Sequence, residues 1–178
     1  MRLYLVRHGD ATSPEENPRR PLSAKGRSEV ERMASFLARS GVRPRRALHS
    51  GKLRAGETAA ILARTLAPGL MLEESAGLDP EDSPDRLISA ARGWVAAAMD
   101  GRGRGGESRR ASKDETGAAN DVLVVGHMPF MARAVAGFVG ADQSLEFAAF
   151  ATAAVACLES ENGKWRLLWL VSPALLGG

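Results

Sequence analysis

Cysteine is almost absent from this chain of 178 residues, in which Cys157 is the only one. A single thiol excludes an internal disulfide, which suits a reducing compartment. With one cysteine and three histidines, the sequence has no cluster at the spacing of a zinc site. Residues 1–6 are too short an apolar run for a signal peptide. We therefore expect a cytoplasmic protein.

Long apolar runs and aromatic residues are scarce as well. No stretch approaches the roughly 20 apolar residues that a membrane-spanning helix needs, so we expect no membrane partner. The net charge of +3 would permit binding to nucleic acid, but the basic residues are scattered and aromatic residues make up only 5% of the chain. Because single-strand binders interleave basic and aromatic residues, we expect no nucleic-acid partner. The positive balance also suits phosphorylated substrates.

Segments typical of strands and helices alternate along the chain. Short apolar runs predict strands at residues 2–7, 45–49, 70–73 and 122–125. Helical spacing and capping residues predict helices from Ser23 to Gly41, from Leu53 to Leu66, from Ser83 to about residue 99 and from Pro129 to Gly140. Residues 100–119 are rich in glycine and arginine, which predicts a flexible loop within a single domain at 1–178.

Two further apolar runs, at residues 153–158 and 165–171, flank Asn162-Gly163. Asn-Gly between such runs is the strongest short signal for a β-hairpin. Alternating strands and helices favour an α/β fold with a mostly parallel sheet. The fold prediction is therefore a three-layer sandwich, with helices on both faces of the central sheet and an antiparallel C-terminal hairpin at its edge.

Polar residues follow three of the predicted strands directly. The first strand runs into Arg7-His8-Gly9, and the buried-looking strand at 122–125 runs into Gly126-His127. The second strand contains His49, which we interpret as structural, and leads to Arg54 in the first turn of the next helix. Because ligands bind beyond the carboxyl ends of parallel strands, we expect these residues to meet at one edge of the sheet.

Two arginines and two histidines gathered in this way suit a dianionic phosphoryl group. Guanidinium groups match phosphate oxygens with planar, permanently charged forks. A neutral imidazole is a good nucleophile near pH 7, and attack on phosphorus would leave a phosphohistidine that water then hydrolyses. A second, protonated histidine would stabilise the oxygens. We expect no metal and no other cofactor, because the cationic side chains already supply this stabilisation and no acidic cluster suits Mg²⁺.

Four motifs resemble those of the histidine phosphatase superfamily, which has a phosphoglycerate mutase-like fold. Arg7-His8-Gly9 is similar to its first signature, and residues 21–26 (PLSAKG) are similar to its second. Residues 50–58 (SGKLRAGET) resemble its third motif, with Gly51 where proline is usual. Residues 124–127 (VVGH) resemble the motif of its second histidine. The four motifs occur in the family's order and span residues 1 to about 140.

Within this superfamily the chain looks most like the SixA-type phosphohistidine phosphatases. The resemblance implies that His8 is the nucleophile, that Arg7 and Arg54 bind phosphate and that His127 is the second histidine. By the same resemblance, Arg20 and Ser50 are candidate substrate contacts. It also implies a phosphohistidine on a signalling protein, such as a histidine phosphotransfer domain, as the substrate and partner.

Three alternatives stay open from the sequence. Asp79, or else Asp82, could act as a general acid, which would favour a phosphatase for small phosphate esters. A mutase would need a second carboxylate pocket that the sequence does not reveal. A non-catalytic phosphoprotein-binding module would not need a nucleophile, and intact His8 argues against it. The sequence is compatible with a monomer or a weak dimer.

Overall fold

The computed structural model describes residues 1–103, 120–142 and 149–177. Its six strands are β1 (Arg2–Arg7), β2 (Arg46–His49), β3 (Leu72–Glu74), β4 (Val122–Gly126), β5 (Val155–Glu161) and β6 (Lys164–Val171). Its four helices are α1 (Ala24–Arg39), α2 (Leu53–Leu66), α3 (Asp85–Gly103) and α4 (Phe130–Val139). A short 3-10 turn at Pro173–Leu176 follows β6.

The strands form one sheet in the order β3-β2-β4-β1-β5-β6. The first four strands in that order pair in parallel, and β5 and β6 are antiparallel. The buried run Val122–Gly126 is the central strand between β2 and β1, as its unbroken apolar sequence predicts. The carboxyl ends of β1, β2 and β4 therefore lie side by side at one edge of the sheet.

Helices cover both faces of this sheet. Along β1, Leu3 and Leu5 face the core that contains α3 and α4, whereas Tyr4 and Val6 face the core that contains α1 and α2. This alternation follows from the two-residue period of a strand. It buries β1 on both sides and produces three layers.

Local sequence signals fix the ends of several elements. The hydroxyl of Ser23 caps α1 by accepting a hydrogen bond from the Gly26 amide at 3.0 Å. Helix α4 ends at Gly140, whose positive φ of 74° is favourable for glycine. Asn162 and Gly163 both have positive φ values, 51° and 77°, and join β5 to β6 as a tight hairpin turn.

The predicted α/β sandwich, with its mostly parallel sheet and antiparallel edge hairpin, is confirmed. Two boundaries differ from the sequence prediction. Strand β3 begins two residues later than expected, at Leu72, and α3 continues to Gly103, into the segment predicted as a loop. The rest of that segment, residues 104–119, lies outside the described residues. In the part of the chain that is described, no helix is long and apolar enough to cross a membrane.

Candidate active site

The ends of β1, β2 and β4 bring His8, Ser50 and His127 together. The amide of His8 donates to the Gly126 carbonyl at 3.0 Å, and the amide of Ser50 donates to the Val125 carbonyl at 3.3 Å. These backbone bonds continue the sheet pairing one residue past the strands. The ring centroids of His8 and His127 are consequently only 4.9 Å apart.

The imidazole of His8 is held by both of its nitrogens. Its Nδ1 lies 2.6 Å from the Gly9 carbonyl oxygen, and its Nε2 lies 3.1 Å from Nε of Arg54. A carbonyl can only accept a hydrogen bond, and the Nε–H of Arg54 can only donate one. The proton is therefore on Nδ1, and the lone pair of His8 is on Nε2.

The pKa of His8 is lowered to about 4, mainly by burial and also by the positive charges of Arg54, Arg7 and Arg20, against the opposing effect of the Gly9 hydrogen bond. His8 is accordingly neutral at pH 7. The Nε2 lone pair that a nucleophile needs is then present without any base to remove a proton.

The loop that carries His8 is braced by α1 and α2. The amide of Gly9 donates to Oγ1 of Thr58 at 3.0 Å, and that hydroxyl donates to the Arg54 carbonyl at 2.7 Å. On the other side, Ser23 donates its hydroxyl to the Asp10 carboxylate at 2.6 Å. A Cβ at Gly26 would lie 2.0 Å from the Asp10 carbonyl oxygen, so only glycine lets α1 approach this loop.

His127 is more deeply buried than His8, with 2% of its surface exposed. Its Nε2 lies 2.6 Å from Oγ of Ser50, whereas its Nδ1 is buried without a partner among the described residues. The pKa of His127 is lowered to about 3, mainly by burial and also by His8, Arg54 and Lys52. His127 is thus neutral at pH 7 before a ligand binds. The protonated second histidine expected from the sequence would act on a bound phosphoryl group, and it stays a prediction.

Three arginines surround the two imidazoles. Nη1 of Arg7 donates to the Phe150 carbonyl at 2.6 Å, and Nε of Arg20 donates to the Thr12 carbonyl at 3.2 Å. Burial lowers the pKa of Arg7 and of Arg54, but guanidinium groups remain charged in proteins. Arg20 adopts a positive φ of 49°, which is uncommon for a residue other than glycine. Its positive charge lowers the pKa of both His8 and Arg54.

A cleft of about 520 Å³ lies beside Ser50, the partner of His127, and its other lining residues include Lys52, Ser75, Asp79 and Asp82. Nζ of Lys52 donates to the Asp79 carboxylate at 3.0 Å. The Asp82 carboxylate accepts the backbone amide of Asp79 at 2.8 Å and so caps this turn. Asp79 therefore lies near the site. Its carboxylate accepts a hydrogen bond from the ammonium group of Lys52, whereas a general acid must itself carry the proton that it delivers.

The structure brings together every residue singled out from the sequence except His49. His49 bonds through Nδ1 to the Ser50 carbonyl at 2.7 Å, which is a structural contact. The hydroxyl of Ser50 contacts Nε2 of His127, and its contact with a substrate stays a prediction. Two groups that support the site were not predicted from the sequence. They are the Thr58 hydroxyl, which contacts the Gly9 amide, and the Phe150 carbonyl, which contacts Arg7. Thr58 follows Arg54 by four residues on the same face of α2, and this spacing is the signal that could have found it.

This arrangement offers hydrogen-bond donors and positive charge around one nucleophilic nitrogen, which suits an anion with tetrahedral oxygens. Within the described ranges, no three His, Cys, Asp or Glu side chains gather in a way that could hold a metal ion. The gathered donors and positive charges favour phosphoryl chemistry at this site.

Comparisons with known proteins agree with this geometry. The model of the histidine phosphatase superfamily (branch 1) matches residues 3–83, which include the first three motifs. None of the curated proteins matches the chain in sequence. The resemblance to this superfamily predicted from the sequence is confirmed by the family model and by the fold.

Solved structures extend the likeness over nearly the whole chain. The tungstate complex of the protein histidine phosphatase SixA is 26% identical, with a TM-score of 0.77 over 99% of both chains. A phosphohistidine phosphatase SixA of Agrobacterium tumefaciens is 24% identical, with a TM-score of 0.68 over 97% of both chains. A mycobacterial glucosyl-3-phosphoglycerate phosphatase is 19% identical, with a TM-score of 0.65 over 94% of this chain and 96% of that one. The last two likenesses show the fold alone.

Proposed function

We propose that this chain, a histidine phosphatase by its family match and its fold, removes the phosphoryl group from phosphohistidine on a signalling protein. His8 is the nucleophile, and the reaction passes through a phosphohistidine at that residue. Arg7, Arg54 and His127 bind the oxygens of the transferred group, and Arg20 adds a contact at the mouth of the pocket. The single buried cysteine suits the cytoplasm as the site of this reaction.

The observation that carries this proposal is the fixed lone pair of His8. The Gly9 carbonyl accepts from Nδ1 and Arg54 donates to Nε2, so the nucleophilic nitrogen points at a guanidinium group. A pKa near 4 keeps this nitrogen unprotonated at neutral pH. A site that only bound phosphate would favour a protonated imidazole, since that form is a better partner for an anion.

The reaction has two displacements at phosphorus. Nε2 of His8 forms a bond to phosphorus while the bond to the leaving imidazole breaks, and the leaving nitrogen takes a proton from solvent. Water then attacks the phosphorus, the bond to His8 breaks, and inorganic phosphate leaves as His8 regains its lone pair. The guanidinium groups of Arg7 and Arg54 stabilise the negative charge that the phosphoryl oxygens carry in both steps.

Two features support phosphohistidine as the substrate. The chain is similar in fold and, at 26% identity, in sequence to the protein histidine phosphatase SixA. An imidazole also leaves phosphorus easily because it protonates readily, so the reaction needs little help from a general acid. The pairing of Asp79 with Lys52 is compatible with a site that has no such acid.

The second candidate is a phosphatase for small phosphate esters. Asp79 stands near the pair of histidines, and its charge acts on His127 and Arg54. A poor alkoxide leaving group would need a proton from such a carboxyl group. The same fold serves a glucosyl-3-phosphoglycerate phosphatase, so the fold does not choose between the two substrates.

Asp79→Asn separates the two candidates. We expect kcat/KM for a phosphohistidine protein to exceed that for a panel of phosphate esters and to be unchanged in this variant. Glu81→Gln is the matched control, because Glu81 is an exposed carboxylate of the same turn. Ester hydrolysis that is fast and falls about 100-fold or more in Asp79→Asn alone would identify an ester phosphatase. Each assay is run with and without EDTA, which we expect to have no effect.

A further inference from the structure

Ser50 and His127 form a buried pair at the ends of two neighbouring strands. Each has 2% of its surface exposed, and the Ser50 hydroxyl lies 2.6 Å from Nε2 of His127. Ser50 directly follows β2 and His127 directly follows β4, and the Ser50 amide donates to the Val125 carbonyl. The backbone of the sheet therefore holds the two side chains in this contact.

The direction of this hydrogen bond follows from the partners available. A hydroxyl has one proton to donate, and in the described part of the chain the Ser50 hydroxyl has no acceptor other than Nε2 of His127. Ser50 lines the cleft but is only 2% exposed, so water competes little for this proton. The hydroxyl donates to Nε2, and a neutral His127 must then carry its own proton on Nδ1.

As a result, the N–H group at Nδ1 of His127 is available to donate a hydrogen bond. Nδ1 is buried and has no hydrogen-bond partner among the described residues. Buried polar groups in native proteins are nearly always paired, and those that are not call for an explanation such as a ligand. The ring of His8, where the transferred phosphoryl group would be attached, is 4.9 Å away between centroids.

We propose that Ser50 is a positioning residue that fixes the proton of His127 on Nδ1, so that this imidazole donates a hydrogen bond to the phosphoryl group as a neutral side chain. The inference rests on the proposed function and deepens it. Ser50 acts through His127 and does not bind the substrate itself. Its role parallels the acceptors that fix the tautomer of catalytic histidines elsewhere.

The charges around His127 favour this neutral form. Arg54 and Lys52 disfavour a positive charge on the ring, as would a protonated His8, and among the described residues Asp79 favours one. Burial has the largest effect and acts in the same direction as the two cations. An imidazolium would also have protons on both nitrogens, and the Ser50 hydroxyl would then have nowhere to donate.

Nitrogen-15 NMR of the imidazole groups tests this directly. The chain has only three histidines, and His8→Asn and His127→Asn assign their signals. At pH 7 without ligand, we expect the Nδ1 of His127 to be protonated and its Nε2 to be unprotonated. In Ser50→Ala we expect the proton to move to Nε2 in a large share of molecules. A proton on Nε2 in the wild-type protein, or an unchanged spectrum in Ser50→Ala, would overturn the proposal.

Kinetics supply the second readout. We expect Ser50→Ala to lower kcat at least 10-fold with little change in KM, and Ser50→Thr, which keeps the hydroxyl, to restore most of it. Ser75→Ala is the matched control, because Ser75 lines the same cleft but bonds to the Ala76 carbonyl. Equal loss in Ser50→Thr and Ser50→Ala would reject the hydroxyl as the cause. The NMR measurement does not depend on turnover. Failure to trap phosphate on His8 would therefore reject the proposed function and leave the NMR result unchanged.

Discussion

The two histidines of the site are fixed by different kinds of partner. His8, at the end of β1, is held by a backbone carbonyl and by a guanidinium group, and its lone pair faces the cations. His127, at the end of β4, is held by a side-chain hydroxyl and is nearly inaccessible. Both are neutral at pH 7, yet one offers an electron pair and the other a proton.

This difference shows how two histidines, with ring centroids 4.9 Å apart, can take opposite roles in hydrogen bonding. Either ring nitrogen of a neutral histidine can carry the proton, and the hydrogen bonds to its neighbours decide which one does. A carbonyl beside Nδ1 leaves Nε2 free to attack, whereas a hydroxyl beside Nε2 leaves an N–H free to donate. The following predictions test whether His8 supplies the electron pair and His127 the hydrogen bond, from the largest expected effect to the smallest.

Removing the nucleophile should have the largest effect. We expect His8→Ala to lower kcat by more than about 1,000-fold, because the arginines and His127 alone cannot form the covalent intermediate. Labelled phosphate trapped on His8 in the wild-type protein, and absent in this variant, would identify the intermediate. Wild-type rates in His8→Ala would reject the mechanism, and binding without turnover in the unmodified protein would indicate a phosphoprotein-binding module.

Removing the donor should have a smaller effect. We expect His127→Asn to lower kcat about 100-fold, which is typical for loss of one donor to transition-state oxygens. The label should still appear on His8, because the nucleophile and its arginines are intact. Rapid quenching followed by gel analysis of the labelled protein measures this. Loss of the label in His127→Asn would show instead that the two histidines share one function.

Acid should weaken the folded state through both histidines. Their folded pKa values, about 4 and about 3, lie below the unfolded value of about 6.5. The unfolded chain therefore binds more protons below pH 6.5, and the free energy of unfolding falls as pH falls from 6.5 toward 4. We expect each histidine to contribute a loss on the order of 1 to 2 kcal/mol between pH 7 and pH 5.

Denaturant unfolding at several pH values measures this loss. His8→Asn and His127→Asn should each remove part of the pH dependence, because asparagine does not titrate. If both variants kept the wild-type slope between pH 7 and pH 5, the histidines would not be the groups that resist protonation. His127→Asn should remove at least as much of the slope as His8→Asn, since His127 has the lower pKa.

The order of elements and the sheet could be predicted from the sequence, because they depend on local signals. The apolar run at 122–125 identified the central strand, and Asn162-Gly163 identified the hairpin. The bounds of β3 could not be predicted. Its pairing with β2, in which His49 lies opposite Glu74, shifts the strand past the apolar residues at 70 and 71. At the edge of a sheet, pairing outweighs apolar character in deciding where a strand lies.

The candidate residues of the site could be named from the sequence as well, since three strand ends and four motifs mark them. Their hydrogen bonds could not. The contact between the Ser50 hydroxyl and His127, which is 77 residues away, had no signal in the sequence. The pairing of Asp79 with Lys52 and of Arg7 with the Phe150 carbonyl also joins distant segments. Such contacts depend on side-chain packing across elements, which sequence spacing does not encode.

The three arginines of the site share one feature: each is hydrogen-bonded to a neutral acceptor. Arg7 and Arg20 donate to carbonyl oxygens, and Arg54 donates to the imidazole of His8. Among the described residues, none of these three positive charges has a carboxylate in direct contact. A ligand that binds only the folded form adds to its stability in proportion to the logarithm of its concentration. Inorganic phosphate, the product of the proposed reaction, would thus act on this protein twice, as an inhibitor that slows the next turnover and as a chemical chaperone that favours the native chain.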